Sequence, residues 1–69
     1  VLVDFYADWC GPCRAMAPTL AAWAARQAGA VLTLKVDTDR NPDVATRYAI
    51  RSIPTLIAFR GGREAARAL

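Results

Sequence analysis

The sequence predicts an α/β fold with a mixed sheet, in which a βαβ unit is followed by a C-terminal β-hairpin and helices flank the sheet. The first observation is a β-branched and aromatic run at residues 1–6, a long helical pattern over 11–28 and a second apolar run at 31–37. A right-handed crossover of this kind places the two strands parallel in one sheet. The second observation is the glycine pair Gly61-Gly62, which is typical of a tight hairpin turn.

The first strand and the long helix follow from local composition. The run 1–6 has almost no polar alternation, as expected of a strand covered on both faces, and Asp4 is the exception. Helix formers dominate residues 11–28, and Gly29 is well placed as the C′ residue that ends the helix. Because the helical pattern resumes directly after Pro18, we expect this proline to bend the helix rather than end it.

The later elements are shorter. A short helix over 42–48 is predicted to begin with Asn41 as its cap and Pro42 at its first position. A third strand is predicted at 55–60, and a strand at 63–69 returns from the glycine turn. Since the alanines of this last segment favour a helix, its prediction as a strand depends mainly on the turn.

The composition indicates one small globular domain, residues 1–69. Hydrophobic residues make up 55% of the chain and charged residues 22%, which is enough apolar surface for a core. The chain begins inside a strand-like run and ends without a further element. We therefore expect it to be part of a longer domain.

The net charge of +3 comes from arginines that are scattered along the chain rather than gathered in a run. This pattern gives little support to nucleic-acid binding. Arg51 and Arg60 could favour acidic partner surfaces, but scattered arginines are typical of a solvated surface, so we assign them no role.

Several functional classes are excluded or disfavoured. The chain has no histidine, which excludes Cys-His nucleophilic catalysis and Cys/His zinc sites within it. No run approaches the roughly 18 apolar residues of a membrane helix, so no membrane partner is expected. With two cysteines there is no disulfide framework, and the pair suits a cytosolic redox motif, although a periplasmic or lumenal location stays open.

The two cysteines, Cys10 and Cys13, are the principal candidates for chemistry. They stand between the first strand and the long helix, where the helix N-terminus stabilises negative charge on sulfur. We expect Cys10 to be the more exposed thiol that attacks a disulfide, and Cys13 to be covered and to resolve the mixed disulfide. Gly11 and Pro12 stiffen the loop between them. Two alternatives remain, a pair of reduced structural cysteines and a soft-metal pair.

Asp4 is the second candidate. A carboxylate in a strand that is buried on both faces loses solvation, so its pKa should be raised, and it could serve as a general acid and base for Cys13 through a water molecule. Lys35, the single lysine, could be its charge partner. The alternatives are a solvated or capping aspartate and a lysine that extends outward from its strand.

Two further features lie near the predicted site. Ile53-Pro54 precedes the third strand, where a proline can begin a strand without breaking its ladder. Trp9 could offer a stacking surface to partners if it is exposed, whereas a tryptophan in a small domain is more often packed, as we expect for Trp23.

These residues give the chain a resemblance to the thioredoxin family that extends over nearly its whole length. The combination of Trp-Cys-Gly-Pro-Cys with a later Ile-Pro-Thr is highly specific for thioredoxins proper. The matching segments are 3–14, Pro18, 37–42, 48–55 and 59–62. Tyr6 and Arg14 are mild departures, because many members have Trp and Lys there. The resemblance also implies that the family's first strand and helix and its last helix are absent, so we expect a poorly stable or aggregation-prone chain.

The resemblance implies roles for individual residues. Cys10 matches the attacking thiol and Cys13 the resolving thiol, Asp4 matches a buried aspartate with Lys35 as its paired lysine, and Pro54 matches a cis-proline opposite the disulfide. The residues that match the substrate-receiving surface are Trp9, Gly11, Pro12, Ile53 and Pro54.

The resemblance further implies a protein-disulfide reductase that acts as a monomer. Its partners would be disulfide-containing proteins and a thioredoxin reductase as electron donor, with no cofactor beyond the Cys10–Cys13 disulfide and no metal. We expect a cytoplasmic location. The competing interpretations are a reductase dedicated to one extracytoplasmic pathway, a non-catalytic binding subunit, and a metal chaperone that uses both cysteines.

Overall fold

The computed structural model describes residues 1–68, which form four strands and two helices. The elements are β1 Leu2–Tyr6, α1 Gly11–Arg26, β2 Thr33–Asp37, α2 Pro42–Arg47, β3 Thr55–Arg60 and β4 Arg63–Ala68. The predicted α/β class is confirmed. Within the described part of the chain, neither helix is long and apolar enough to cross a membrane.

The four strands form one mixed sheet in the order β2-β1-β3-β4. Strand β1 pairs in parallel with β2 and antiparallel with β3, and β3 pairs antiparallel with β4. The βαβ unit and the C-terminal hairpin are therefore both present as predicted. Because β1 is an interior strand, Asp4 lies between Lys35 on one side and Leu56 on the other.

Helix α1 begins beside the cysteine pair and passes Pro18 as one element. It ends two residues earlier than expected, with Gln27 as the C-cap. The amides of Ala30 and Val31 both donate to the Gln27 carbonyl oxygen at 2.9 Å, and this turn closes the helix. Gly29, the predicted C′ residue, has a positive φ of 91°, but it lies in that turn one residue beyond the observed C′ residue, Ala28.

Helix α2 begins at Pro42 as predicted but without the expected side-chain cap. Asn41 instead donates from Nδ2 to the carbonyl oxygen of Asp37 at 3.0 Å, which fastens the loop after β2. The helix starts on the Asn41 backbone, whose carbonyl oxygen accepts from Ala45 N–H at 3.1 Å.

The hairpin between β3 and β4 forms although the β4 alanines favour a helix. Gly61 and Gly62 have φ values of 58° and 79°, as a two-residue type I′ turn requires, and this turn aligns β4 on β3. Arg67 adds two hydrogen bonds to the Glu64 carboxylate and one of 2.8 Å to the Tyr48 carbonyl oxygen. Leu69, the last residue of the predicted strand, lies outside the described residues.

The core lies mainly on one face of the sheet. Val3, Phe5 and Ile57 are buried there. The half-buried side chains that pack against them are Val36, Val44, Tyr48, Ile50 and Phe59. Asp4 points to the opposite face, beneath α1, as strand alternation requires. Trp23 is only half-buried, so it is a partly covered side chain rather than a core residue.

Candidate active site

Cys10 caps α1 and is joined to Cys13 by a disulfide bond. The backbone N–H of Cys13 donates to Cys10 Sγ at 3.2 Å, so one of the free amides at the start of the helix is directed at this sulfur. The first helical turn contains no acidic residue, which leaves the positive end of the helix dipole uncompensated. When the disulfide is reduced, this position favours a thiolate on Cys10.

The expected contrast in exposure between the two cysteines is wrong. Cys10 is 4% exposed and Cys13 is 5% exposed. In the disulfide form, the Ile53 segment covers Cys10, and the Ile53 carbonyl oxygen lies 3.8 Å from Cys10 Sγ. The sulfurs differ instead in their surroundings, because each one lines a different cavity.

Cys10 lines an open groove of about 450 Å³, which we name the substrate groove. Its lining residues are Trp9, Cys10, Gly11, Pro12, Thr38, Ala45, Ile50, Arg51, Ser52 and Ile53. Gly11 and Pro12 are exposed at its rim, and Ile53 is half-buried. The groove is open to solvent beside the Cys10–Cys13 disulfide.

Trp9 is exposed, at 67%, so it is not packed in the core. Its indole Nε1 donates to Asp39 Oδ2 at 2.7 Å. Thr38 fixes the neighbouring backbone, because its N–H and its hydroxyl both donate to the Tyr6 carbonyl oxygen. The sequence did not point to Asp39. The available signal was its place just after β2, since the carboxyl ends of the parallel strands β1 and β2 meet at one edge.

The peptide bond between Ile53 and Pro54 is cis, as the resemblance implied. Pro54 is half-buried directly before β3, and the buried Thr55 donates from its hydroxyl to the Ser52 carbonyl oxygen. Of this short segment, Ser52 and Ile53 line the groove beside Cys10.

Asp4 is 3% exposed and shares a second cavity, of about 240 Å³, with Cys13. Among the described residues, no donor reaches its Oδ1 atom. Burial raises the pKa of Asp4, and the nearby charge of Lys35 opposes that increase. The expected upward shift is thus confirmed, and the carboxyl group can hold a proton near Cys13 under conditions where an exposed aspartate would lose it.

Lys35 is opposite Asp4 in register but does not form an ion pair with it in the described part of the chain. Its ammonium group lies 4.4 Å from the centre of the Tyr6 ring, where the ring face attracts a cation. Lys35 is exposed and acts on Asp4 through its field rather than through contact. Tyr6, noted in the sequence only as a departure, is the residue that holds it.

Sequence comparison identifies close relatives. The family model described as thioredoxin matches residues 1–68. Thioredoxin 1 of Nostoc sp. is 55% identical over 64 residues, which are 93% of this chain and 60% of that protein. The chloroplastic thioredoxin M-type of Zea mays is 52% identical over 64 residues, again 93% of this chain but 38% of that protein. The chain thus spans about 60% or less of the length of these curated relatives.

Solved structures give the same result. The thioredoxin of Fasciola hepatica superposes with a TM-score of 0.93 at 40% identity, covering 97% of this chain and 64% of that one. Deadhead, a germline-specific thioredoxin of Drosophila melanogaster, superposes with a TM-score of 0.94 at 37% identity, with the same two shares covered. With its Cys-Gly-Pro-Cys disulfide at the start of α1 and these relatives, the chain belongs to the thioredoxin family.

Proposed function

We propose that this chain is a thiol-disulfide oxidoreductase that reduces protein disulfides through a reversible Cys10–Cys13 dithiol and disulfide. The observation that carries the proposal is the closed disulfide at the start of α1, with one of its sulfurs lining an open groove. Family membership supports the same chemistry, since thioredoxins use a redox-active disulfide rather than a bound prosthetic group.

In the first step, the Cys10 thiolate attacks one sulfur of a substrate disulfide. A mixed disulfide forms between Cys10 and the substrate, and the other substrate sulfur leaves as a thiolate. The α1 N-terminus stabilises the attacking charge, which is why we assign the attack to Cys10.

In the second step, Cys13 attacks Cys10 Sγ and restores the internal disulfide. Asp4 accepts the Cys13 proton through the cavity that the two residues share, so it acts as the general base. The second substrate sulfur leaves and is protonated. The chain loses two electrons and the substrate gains two. Lys35 also lines this cavity, and its charge lowers the pKa of Asp4.

The substrate would lie against the exposed and half-buried residues near Cys10. We assign this role to Trp9, Gly11, Pro12, Ile53 and Pro54. The hydrogen bond from Trp9 to Asp39 and that from Thr55 to Ser52 hold parts of the groove wall in place, which lowers the entropy cost of binding.

The partners proposed for this activity are disulfide-containing proteins and a thioredoxin reductase as electron donor. The chain would work as a monomer, without nucleic acid, membrane, metal or added cofactor. We propose a cytoplasmic location, although the Zea mays relative is named chloroplastic.

The test compares Cys10→Ser and Cys13→Ser in the reduction of insulin disulfides with dithiothreitol as electron donor. Cys10→Ser should lower the rate to the level of dithiothreitol alone. Cys13→Ser should also fail to turn over, but it should accumulate a mixed disulfide with insulin that non-reducing electrophoresis detects. Wild-type rates in Cys10→Ser would contradict the proposal and would favour a non-catalytic binding subunit.

A further inference from the structure

We propose that Arg51 makes this chain prefer substrates that carry a carboxylate next to the disulfide. The inference rests on the proposed reductase activity and specifies its substrate class. The sequence alone placed Arg51 among scattered surface arginines, and the structure separates it from them.

Arg51 is the charged residue of the substrate groove. Every other residue that lines the groove is uncharged, including the neighbours Ile50 and Ser52. Asp39 lies near the groove through its bond to Trp9, but its carboxylate already accepts the indole N–H at 2.7 Å. The lining of the groove therefore carries one positive charge, on Arg51, and the negative charge of Asp39 lies outside the lining, beside Trp9.

The guanidinium of Arg51 has no hydrogen-bond or ion-pair partner among residues 1–68. Other arginines are engaged within the chain. Arg67 binds Glu64 with two hydrogen bonds, Arg40 lies 3.8 Å from the Asp37 carboxylate, and Arg14 donates to the Asp8 carbonyl oxygen at 3.3 Å. Arg51 thus keeps its donors available for an external acceptor.

The position of Arg51 defines which substrate residue it can meet. Ile53, two residues further along, has its carbonyl oxygen 3.8 Å from Cys10 Sγ. Two residues of chain span at most about 7 Å, and the arginine side chain extends further. An extended substrate would therefore place a residue within about three positions of the attacked cysteine against Arg51.

A carboxylate is the group that this site recognises best. Guanidinium groups bind carboxylates through two parallel hydrogen bonds, which neutral amides and cations do not match. The apolar side chains of Ala45, Ile50 and Ile53 line the same groove, and a bound segment would exclude water between them and the ion pair.

The test uses two synthetic peptides that contain the same disulfide loop and differ only in Asp or Asn two residues from one cysteine. The chain is reduced, freed of reductant and mixed with each peptide, and its dithiol is followed to the disulfide in a single turnover. Wild type should react with the Asp peptide roughly twofold to fivefold faster at low ionic strength. In about 1 M salt, where the screening length is about 3 Å, the preference should disappear.

Arg51→Gln should bring the ratio of the two rates close to one, and Arg51→Glu should reverse the preference. Arg63→Gln is the matched control, because Arg63 is an exposed arginine of β4 outside the groove and its loss changes the net charge equally. It should keep the wild-type ratio, which separates local recognition from general attraction by the net charge.

The outcomes distinguish the two proposals. Equal wild-type rates on both peptides, or an unchanged ratio in Arg51→Gln, would overturn the role of Arg51 and leave the reductase activity intact. A wild-type chain that reduces neither peptide would overturn the reductase activity and this inference with it. Circular dichroism of each variant shows whether a changed ratio accompanies a change in fold.

Discussion

Asp4 is buried inside a small sheet, which destabilises its ionised form and places its carboxyl group in the cavity beside Cys13. With Oδ1 unpaired among the described residues, the ionised form is poorly solvated, so folding shifts the equilibrium of this group toward the protonated form. The pKa of Asp4 in the folded chain is therefore higher than in the unfolded chain. The stabilisation that the protonated group provides is complete below the unfolded pKa of about 3.9 and is lost as the pH rises through the folded pKa.

Asp4→Asn should stabilise the chain at pH values above the folded pKa and should have little effect near pH ~3. The gain should be about 1.4 kcal/mol for each unit by which the folded pKa exceeds the unfolded one. The measurement is the folded fraction, from resolved NMR signals, of wild type and variant across this pH range. Asp8→Asn is the control, since Asp8 is exposed, and a gain of equal size there would contradict the explanation.

Asp4→Asn should also slow one chemical step selectively. If Asp4 removes the Cys13 proton, the variant forms the mixed disulfide at the wild-type rate but resolves it more slowly. Quenched-flow separation of the intermediates would measure both rates. Equal slowing of both steps would indicate that the substitution had disturbed the Cys10 site instead.

The sequence was sufficient to select the residues of the candidate site that have a characteristic chemistry. Cys10, Cys13 and Asp4 were identified from residue type and position, and the direction of the Asp4 pKa followed from its place in a buried strand. Asp39 and Tyr6 were missed, because their roles arise from contacts with Trp9 and Lys35 that only the folded chain creates. The near-equal exposure of the two cysteines was missed for the same reason.

Among the secondary-structure elements, the turn residues determine the structure where helix propensity alone points to the wrong element. β4 is rich in alanine, yet the two positive φ angles at Gly61 and Gly62 direct it back along β3. Helix ends were less predictable. The end of α1 depends on a turn in which the Gln27 carbonyl oxygen accepts two hydrogen bonds. The Asn41 side chain does not cap α2 and donates to the Asp37 carbonyl oxygen instead. Such competition among local hydrogen bonds leaves no clear pattern in the sequence.

The connection from α2 to the substrate groove contains a strained residue. Ala49 has a φ of 53°, in the left-handed region that disfavours residues with a Cβ atom. The turn is held by the Ala49 N–H to the Thr46 carbonyl oxygen at 3.0 Å and by Ile50 N–H to the Ala45 carbonyl oxygen at 2.9 Å. These bonds fix the entry of the chain into the groove wall.

Ala49→Gly should stabilise the fold by about 1 kcal/mol, because glycine adopts this φ without steric strain. The ratio of folded to unfolded chain should rise about fivefold in the same NMR measurement. The matched control is Ala22→Gly on the exposed side of α1, which should lower the stability by about 1 kcal/mol. A lower folded fraction in Ala49→Gly would show that the turn is not strained.

For the molecule as a whole, the core is small relative to the surface. In the described part of the chain, the buried apolar side chains are Val3, Phe5, Ala7, Cys10, Cys13 and Ile57. Val1, Leu32 and Leu34 are 47%, 60% and 45% exposed, and both leucines lie on or beside β2, at an edge of the sheet. Exposed apolar groups on an edge strand, whose outer side has no partner strand among the described residues, favour association between chains.

The 69-residue chain should therefore melt without a cooperative thermal transition at neutral pH and should associate as its concentration rises. Differential scanning calorimetry and sedimentation velocity measure these two properties. Leu34→Lys should reduce the association by adding a charge to the edge strand, whereas Arg63→Lys on the opposite edge should not. A sharp, reversible transition of a monomeric chain would contradict this prediction.

The two sulfurs line cavities that share no lining residue, and this separates access to Cys10 from access to Cys13. A protein bound over Cys10 occupies the groove beside Trp9 and Ile53, whereas the cavity behind Cys13 is lined by Asp4 and Lys35. A large molecule that covers the groove over Cys10 would thus leave the cavity behind Cys13 open to water. The Cys13 proton can therefore reach solvent by a route that does not pass through the groove over Cys10.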